Sequence, residues 1–428
     1  MGYNNTKNNN YGFALFLIGC LFFIFGFITW SNSQLIPYLK IACELTDTQS
    51  YLVATAFFAA YFVMAIPSSF VLKKTGFKRG MSLGLLVMAV GALLFIPAAD
   101  ARNYPLFLTG LFIIGTGLAL LQTASNPYVT VLGPIESAAS RISIMGICNK
   151  VAGIIAVFVL GKITLNNVDA LKAKLLTLSP AEKAVELDAL ADKVVGPYTI
   201  IAISLTILAV VLYFINLPEI KEEEDDVIEG EAIFPKVVQG KSVWDYPHMI
   251  MGAVAIFFYV GVEVISYDTF AGFGEALGYK LETAKHFASY TGYGLLVGYV
   301  FSIFAIPKVI NQRKALLVAT LLSMVMVIVS MFTSGNIAVI CFAILGFTNS
   351  VMWPAIWPLA LTGVGRFTKI GGALLVMGIV GGAVLPPLYG KVAELMHSRQ
   401  LAYVIMIPCY LYILYYAVKG YKAGQHKR

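Results

Sequence analysis

Twelve runs of about 20 apolar residues divide the sequence, and most of the segments between them are short and polar. A helix of that length crosses a hydrocarbon layer roughly 30 Å thick. Because backbone groups in lipid must satisfy their own hydrogen bonds, such runs fold as helices. The runs are residues 12–29, 51–72, 81–99, 106–132, 142–165, 198–217, 249–273, 287–306, 315–333, 337–364, 370–389 and 401–418. We predict an all-α membrane protein with twelve transmembrane helices.

The basic residues follow the membrane topology and do not indicate a nucleic-acid partner. The net charge is +7, but only 12% of residues are charged and 59% are hydrophobic. A soluble domain has about 25% charged residues. If both termini are cytoplasmic, 18 of the 30 Lys and Arg residues lie in cytoplasmic segments. This bias predicts that orientation, with both termini in the cytoplasm.

Two features divide the chain into halves. Eight of the 23 acidic residues fall between Glu219 and Glu231, which is typical of a solvated linker. Residues 151–162 also resemble residues 380–391, at an offset of 229 residues. We therefore predict an N-terminal six-helix bundle at 1–217, a linker at 218–246 and a C-terminal six-helix bundle at 247–428. Two pseudo-symmetric bundles of this kind are a transporter architecture, with the ligand site between them near the membrane midplane.

Polar side chains within the runs are concentrated in the first, fourth, fifth, seventh and tenth. A charge at the centre of a transmembrane helix costs about 2.5–3.5 kcal/mol on insertion scales, so such residues are functional candidates. Amides donate and accept hydrogen bonds, which suits a neutral polyhydroxyl ligand. The predicted ligand-binding residues are Asn32, Gln122, Asn126, Asn149, Glu263, Asn349, Trp353 and Trp357.

Two of these residues have a second interpretation. Trp353 and Trp357 are four residues apart and share a helical face, so they suit the apolar C–H face of a sugar. They equally suit an interfacial aromatic belt or simple helix packing.

The ionisable residues inside the runs predict an ion pair. Lys150 is deep in the fifth run, and a buried lysine without a partner is strongly destabilising. Glu263 and Asp268 are the deep acids, and they lie about 140° apart on a helix, so they do not share a face. We predict that Lys150 pairs with one of them, either for cation coupling or as a purely structural ion pair.

Several motifs carry a resemblance to a known family. They are SNSQLIPYLK, YFVMAIPSSFVLKKTGFKRG, GTGLALLQTASNPYVTVLGP, YVGVEV and NSVMWPAIWPLAL. In these segments, and over nearly the whole chain, the sequence resembles the fucose, galactose and glucose branch of the major facilitator superfamily, whose members are bacterial sugar:cation symporters. Within that branch it is most similar to the glucose/galactose transporters. The resemblance implies a twelve-helix alternating-access carrier of the bacterial inner membrane.

The resemblance also implies roles for particular positions. Fucose members use an aspartate in the first span and a glutamate in the fourth for proton coupling and sugar binding, and an asparagine in the fifth for the sugar. The matching residues here are Ser33, Gln122 and Asn149, so both titrating carboxylates are missing. Glu263 stands where fucose members tend to carry glutamine, and we expect it to supply the displaced charge. The predicted cation-coupling residues are Glu263, Asp268, Ser33 and Lys150.

These observations predict a monomeric importer of a glucose/galactose-type hexose, coupled to a monovalent cation and surrounded by lipid. A carboxylate among amide and hydroxyl oxygens suits a hard cation, so we favour sodium over a proton. The alternatives are a proton-coupled fucose or N-acetylhexosamine importer and a non-transporting sugar sensor. We expect no enzyme activity and no cofactor, because no nucleophile–base constellation or phosphate-binding loop is visible. The four histidines show no metal spacing.

Overall fold

A computed structural model of the chain describes residues 6–131, 138–215, 242–305, 309–364 and 367–424. Within these ranges the secondary structure is helical, and no strand is present. The N-terminal helices are α1 (Thr6–Trp30), α2 (Asn32–Ala42), α3 (Asp47–Ser50), α4 (Leu52–Leu93), α5 (Phe95–Asp100), α6 (Tyr104–Val131), α7 (Ala138–Thr164), α8 (Val168–Leu175), α9 (Pro180–Ala191) and α10 (Val195–Phe214). The C-terminal helices are α11 (Pro247–Asp268), α12 (Phe270–Ala276), α13 (Leu281–Ala284), α14 (Phe287–Ala305), α15 (Gln312–Phe332), α16 (Gly335–Leu361), α17 (Thr368–Met377), α18 (Gly381–Met396) and α19 (Met406–Val418).

The predicted number of membrane spans is confirmed. In the described ranges, 11 helical stretches are long and apolar enough to span a membrane, and a bent pair, Asp47–Met64 and Ile66–Leu72, makes the count 12. The first span continues through α2 to Ala42, beyond the predicted end at residue 29. The apolar run ends at residue 29 because Asn32, Ser33 and Gln34, which follow it, are polar. The helical span continues past them because backbone hydrogen bonding does not depend on side-chain polarity.

Two of the predicted runs are joined in a single long helix. The α4 helix contains both residues 52–72 and residues 81–93, but its backbone leaves the helical region at Gly76, where φ is 72° and ψ is 171°. Glycine adopts a positive φ at little steric cost. The basic segment KKTGFKRG therefore turns the chain between the second and third spans, as the sequence predicts.

The helices pack in two groups. In the first group, α1 packs against α7, and α4 packs against α6 and α10. In the second group, α11 packs against α16, α18 and α19, and α15 packs against α16 and α19. The groups meet where α14 contacts α7, where α18 contacts α4 and where α2 contacts α11. Most of the predicted linker, namely residues 218–241, lies outside the described residues.

The segment at 166–196 forms short helices. These are α8 and α9, followed by the 3-10 turn Asp192–Val194. Ser179 begins α9 with a capping box, in which Ser179 and Glu182 each accept from the other's backbone N–H. Two of the four unsatisfied donors at this helix start are thereby satisfied.

Glycines bring the paired helices of each group into backbone contact. A Cβ atom on Gly26 of α1 would lie 1.9 Å from the carbonyl oxygen of Asn149 on α7. A Cβ atom on Gly381 of α18 would lie 1.8 Å from the carbonyl oxygen of Phe257 on α11. Small residues at such positions let transmembrane helices approach closely. Residues 151–162 lie in α7 and residues 380–391 lie in and just before α18. These two helices therefore pack in the same way, α7 against α1 and α18 against α11.

This packing predicts the effect of adding one methyl group. Gly26→Ala should destabilise the protein by about 1–3 kcal/mol, because backbone atoms of α7 occupy the space of the new Cβ. The midpoint of thermal unfolding in detergent measures the change. Gly196→Ala is the matched control, since Gly196 is exposed and no atom lies within 4 Å of its added Cβ. Equal midpoints for the two variants would contradict the proposed contact.

Candidate functional site

A buried ion pair joins the two helix groups. Lys150 Nζ on α7 lies 3.2 Å from Glu263 Oε1 on α11, and each residue is only 7% exposed. The predicted pairing of Lys150 is therefore confirmed, with Glu263 as its partner. Removing either charge would leave the other buried and uncompensated.

Aromatic rings enclose the lysine. The Lys150 Nζ atom lies 4.0 Å from the centroid of the Trp30 ring and 5.9 Å from that of Tyr299. Such contacts stabilise a cation more strongly where water is excluded. Trp30 also donates its indole N–H to Asn149 Oδ1 at 3.1 Å, and its ring centroid is 4.2 Å from that of Tyr267. The predicted residues Asn149, Lys150 and Glu263 thus form one cluster with Trp30.

The predicted tryptophans extend this cluster into the second helix group. Tyr259 lies one helical turn before Glu263 on α11, and its ring centroid is 6.1 Å from that of Trp353. Trp353 is 5.4 Å from Trp357 by the same measure. Both tryptophans are half-buried, and the indole N–H of Trp357 finds no hydrogen-bond acceptor in the described part of the chain. These rings form an apolar surface that is continuous with the ion pair.

Asn349 holds helices of the second group together. Tyr410 on α19 donates to Asn349 Oδ1 at 3.0 Å, and Asn349 Nδ2 donates to Ser266 Oγ on α11 at 3.4 Å. Asn349 is fully buried. Both ends of its amide are therefore engaged in tying α16 to α11 and α19.

The hydrogen bonds described for the remaining predicted residues do not reach the ion pair. Gln122 donates to the Tyr61 hydroxyl at 3.1 Å, within the first helix group. Ser33 donates to the carbonyl oxygen of Trp30 at 2.8 Å. Asn32 is fully buried, and neither its amide oxygen nor its nitrogen has a hydrogen-bond partner among the described residues. The side chain of Asn126 lies outside the described part of the chain.

Sequence reasoning missed several residues of the cluster. They are the tyrosines and the serine that surround Glu263 and Asn349, namely Tyr259, Ser266, Tyr267, Tyr299 and Tyr410. One signal was available, because residues 259, 263 and 267 follow a spacing of four and so share a helical face. The sequence gives no comparable signal for Tyr299 or Tyr410.

A second polar region lies at the end of the bundle opposite the chain termini, here called the distal end. Arg399 donates from Nη2 to Asp47 Oδ1 at 2.8 Å and from Nε to Asp47 Oδ2 at 3.1 Å. Its Nη1 also lies 3.4 Å from Glu275 Oε2. Lys172 Nζ lies 2.5 Å from Glu275 Oε1, and Lys40 pairs with Asp47. These five residues, the distal network, join α2, α3 and α8 of the N-terminal helices to the C-terminal helices.

Asp268 faces a cavity next to this network, here called the distal cavity. The cavity has a volume of about 560 Å³, and its walls include Ile36, Lys40, Asp47, Glu275 and Arg399. Asp268 is only 3% exposed, and its Oδ1 atom has no hydrogen-bond partner among the residues that the structure describes. Glu263 and Asp268 therefore point into different surroundings, as their spacing predicts.

The architecture defines a class of protein. Spanning helices form two groups, and an ion pair, an amide and aromatic rings collect where the groups meet. This is the arrangement of a membrane transporter, which places its ligand site between two bundles. The chain belongs to the Major Facilitator Superfamily, which it matches over residues 18–386.

Two relatives and one solved structure are similar over most of the chain. The glucose/galactose transporter of Brucella abortus (biovar 1, strain 9-941) is 37% identical over 430 residues, covering 98% of this chain and 96% of the relative. The L-fucose-proton symporter of Escherichia coli K12 is 29% identical over 417 residues, covering 96% of this chain and 94% of the relative. The crystal structure of the transporter FucP in the outward conformation is 28% identical, with a TM-score of 0.72, and covers 95% of this chain and 98% of that one.

The buried ion pair predicts a non-additive effect of mutation. Lys150→Met and Glu263→Gln should each destabilise the protein by about 3–5 kcal/mol, because each leaves one buried charge without its partner. The double variant should recover most of that loss. Thermal unfolding midpoints in detergent measure all three variants.

An exposed pair provides the matched control. Lys174 Nζ lies 2.5 Å from Glu186 Oε1, with side chains that are 53% and 32% exposed. Lys174→Met and Glu186→Gln should each cost less than about 1 kcal/mol, and their effects should add. A double Lys150→Met, Glu263→Gln variant that is as unstable as the sum of its single changes would show that the pair is not coupled.

Proposed function

We propose that the protein imports a monosaccharide of the glucose/galactose type by symport with a monovalent cation. It does so by alternating access in a bacterial inner membrane, with both termini cytoplasmic and as a monomer. The Lys150–Glu263 pair, which joins the two helix groups beside Asn149 and Trp30, is the observation that carries the proposal. The names of the relatives support the class of substrate.

The ion pair gives the transport cycle a physical basis. Lys150 and Glu263 belong to different helix groups, so a rocking motion of one group against the other separates them. Each charge then needs a new partner inside the membrane. Sugar hydroxyls supply hydrogen bonds to both charges, and a cargo that does so in one conformation lowers the free energy of that conformation. Binding of the sugar is thereby linked to the conformational change.

The groups around the pair suit a sugar. The amide nitrogen of Asn149 makes only a long contact, 3.4 Å, to the carbonyl oxygen of Phe22, so it is available to a ligand. The rings of Trp30, Tyr259 and Trp353 present apolar faces on either side of the pair. Hydroxyl groups of a hexose bind charged and amide groups, while its C–H face packs on aromatic rings.

We take a proton as the coupling ion, because Glu263 does not offer a sodium site. A carboxylate among amide and hydroxyl oxygens would suit sodium, but Glu263 Oε1 faces the ammonium group of Lys150 at 3.2 Å. A sodium ion bound there would be repelled by the lysine. The proton also agrees with the name of the Escherichia coli relative, the L-fucose-proton symporter.

Uptake measurements test this function. Purified protein in liposomes should accumulate radiolabelled glucose or galactose when a proton gradient is imposed, and empty liposomes should not. A sodium gradient at constant pH should drive little accumulation. Accumulation under sodium alone would reverse the choice of ion. The absence of both accumulation and sugar exchange would refute transport and favour the sugar-sensor alternative.

Removal of one amide tests the sugar site. Asn149→Ala should raise the KM for the transported sugar about tenfold, which corresponds to the loss of one hydrogen bond of roughly 1–1.5 kcal/mol. Asn336→Ala is the control, because Asn336 is an exposed amide that accepts from the Tyr279 hydroxyl. Initial rates of uptake measure both variants. An unchanged KM in Asn149→Ala would exclude this amide from sugar recognition.

A further inference from the structure

Asp268 differs from the other carboxylates at the interface between the helix groups. It ends α11, is 3% exposed and lines the distal cavity, yet its Oδ1 atom has no hydrogen-bond partner among the described residues. A buried carboxylate without a partner is far less stable ionised than protonated. Glu263 is also a buried carboxylate, but it has a partner, because it forms an ion pair with Lys150.

The nearby bases are paired with other acids. Arg399 makes two hydrogen bonds to Asp47, and Lys40 pairs with the same carboxylate. Lys172 lies 2.5 Å from Glu275. Each lysine and arginine on the wall of the distal cavity thus has a carboxylate partner other than Asp268.

Other titratable groups around Asp268 do not supply a counter-charge. Tyr51 lines the same cavity and packs against Tyr389, with ring centroids 5.6 Å apart. Tyr267 precedes Asp268 and packs on Trp30. Tyrosine side chains are neutral near pH 7. His397 also lines the cavity and is exposed to solvent. In the closed arrangement of the distal network, Asp268 therefore depends on a proton for neutrality.

Opening of the distal end would change this situation. Asp47 and Lys172 belong to the N-terminal helices, whereas Glu275 and Arg399 lie with Asp268 in the C-terminal part of the chain. Separation of the two groups breaks the contacts of Arg399 with Asp47 and of Lys172 with Glu275. Arg399 already lies 3.4 Å from the carbonyl oxygen of Gly272, which is one helical turn beyond Asp268. Arg399 is then free of Asp47 and is shared between Glu275, 3.4 Å from it in the closed arrangement, and Asp268, which lines the same cavity.

We propose that Asp268 binds the coupling proton: it is protonated when the distal network is closed and ionised beside Arg399 when the network is open. This assignment rests on the proton-coupled sugar transport proposed above. Arg399 exchanges Asp268 for Asp47 as the distal end closes, and the carboxylate left behind takes one proton from the solution at that end. For net symport, the proton is then lost to the solution on the side of the termini, where the sugar is released and the proton concentration is lower, before the distal end reopens. Closure of the distal end while Asp268 carries no proton is thereby disfavoured.

Two assays on the same liposomes separate coupling from sugar movement. The first is accumulation of labelled glucose or galactose under an imposed proton gradient, and the second is counterflow, the exchange of labelled for unlabelled sugar without a gradient. Asp268→Asn is permanently neutral, so its gradient-driven accumulation should fall at least tenfold while it still exchanges sugar. Asp188→Asn is the control, because Asp188 is exposed, with a side chain that is 62% accessible. It should behave like the unmodified protein in both assays.

The possible outcomes distinguish this inference from the proposed function. Unmodified protein that neither exchanges nor accumulates sugar would refute the proposed function itself. Unmodified protein that does both, together with full accumulation by Asp268→Asn, would overturn only the role of Asp268.

The Asp268→Glu variant keeps the test valid if the asparagine variant does not fold. It retains a titratable group on a longer side chain, so it should still accumulate sugar, with the pH of half-maximal counterflow shifted by at least half a unit. An identical pH profile in Asp268→Glu and in the unmodified protein would also overturn the role of Asp268.

Discussion

The ion pair between Lys150 and Glu263 is the interaction on which the arrangement of the two helix groups depends. A single charge in the membrane interior is costly, and the pair is tolerated because each residue finds the other across the interface. Trp30 and Asn149 pack around the lysine, and Tyr259 connects the glutamate to the tryptophans of α16. Sugar and amide groups can compete with this contact because hydrogen bonds to charged groups are among the stronger ones.

The fold could be predicted from the sequence because hydrophobic length alone specifies membrane spans. The exceptions have a physical cause: α2 continues the first span through Asn32 and Gln34, since backbone hydrogen bonding does not require apolar side chains. The pairing of Lys150 with a deep acid was also predictable, because few acids lie deep in the membrane, but the sequence left Glu263 and Asp268 as alternatives. The hydrogen bond from Gln122 to Tyr61 was not predictable, since the direction of a side chain depends on helix rotation.

Contacts between distant polar segments were beyond sequence reasoning. Arg399 and Asp47 are separated by 352 residues, and each lies in a short polar connection without periodicity. Their two hydrogen bonds form where α3 contacts α18 at the distal end. The tyrosines beside Glu263 are an intermediate case. Their spacing of four places them on the face of the glutamate, but the same pattern is typical of ordinary helix packing.

The two acids of α11 face opposite requirements, and in the proposed mechanism this difference links ion movement to sugar movement. Glu263 is paired with a lysine of the other helix group while the groups are in contact. Asp268 lies beside bases that are engaged with other acids, and in the proposed mechanism its ionised form is stabilised when the groups separate and Arg399 is released from Asp47. One motion of the groups therefore changes both environments in opposite directions. A carrier with only the first carboxylate could still link sugar binding to the motion of the groups, but it would have no reason to take up a proton from one side.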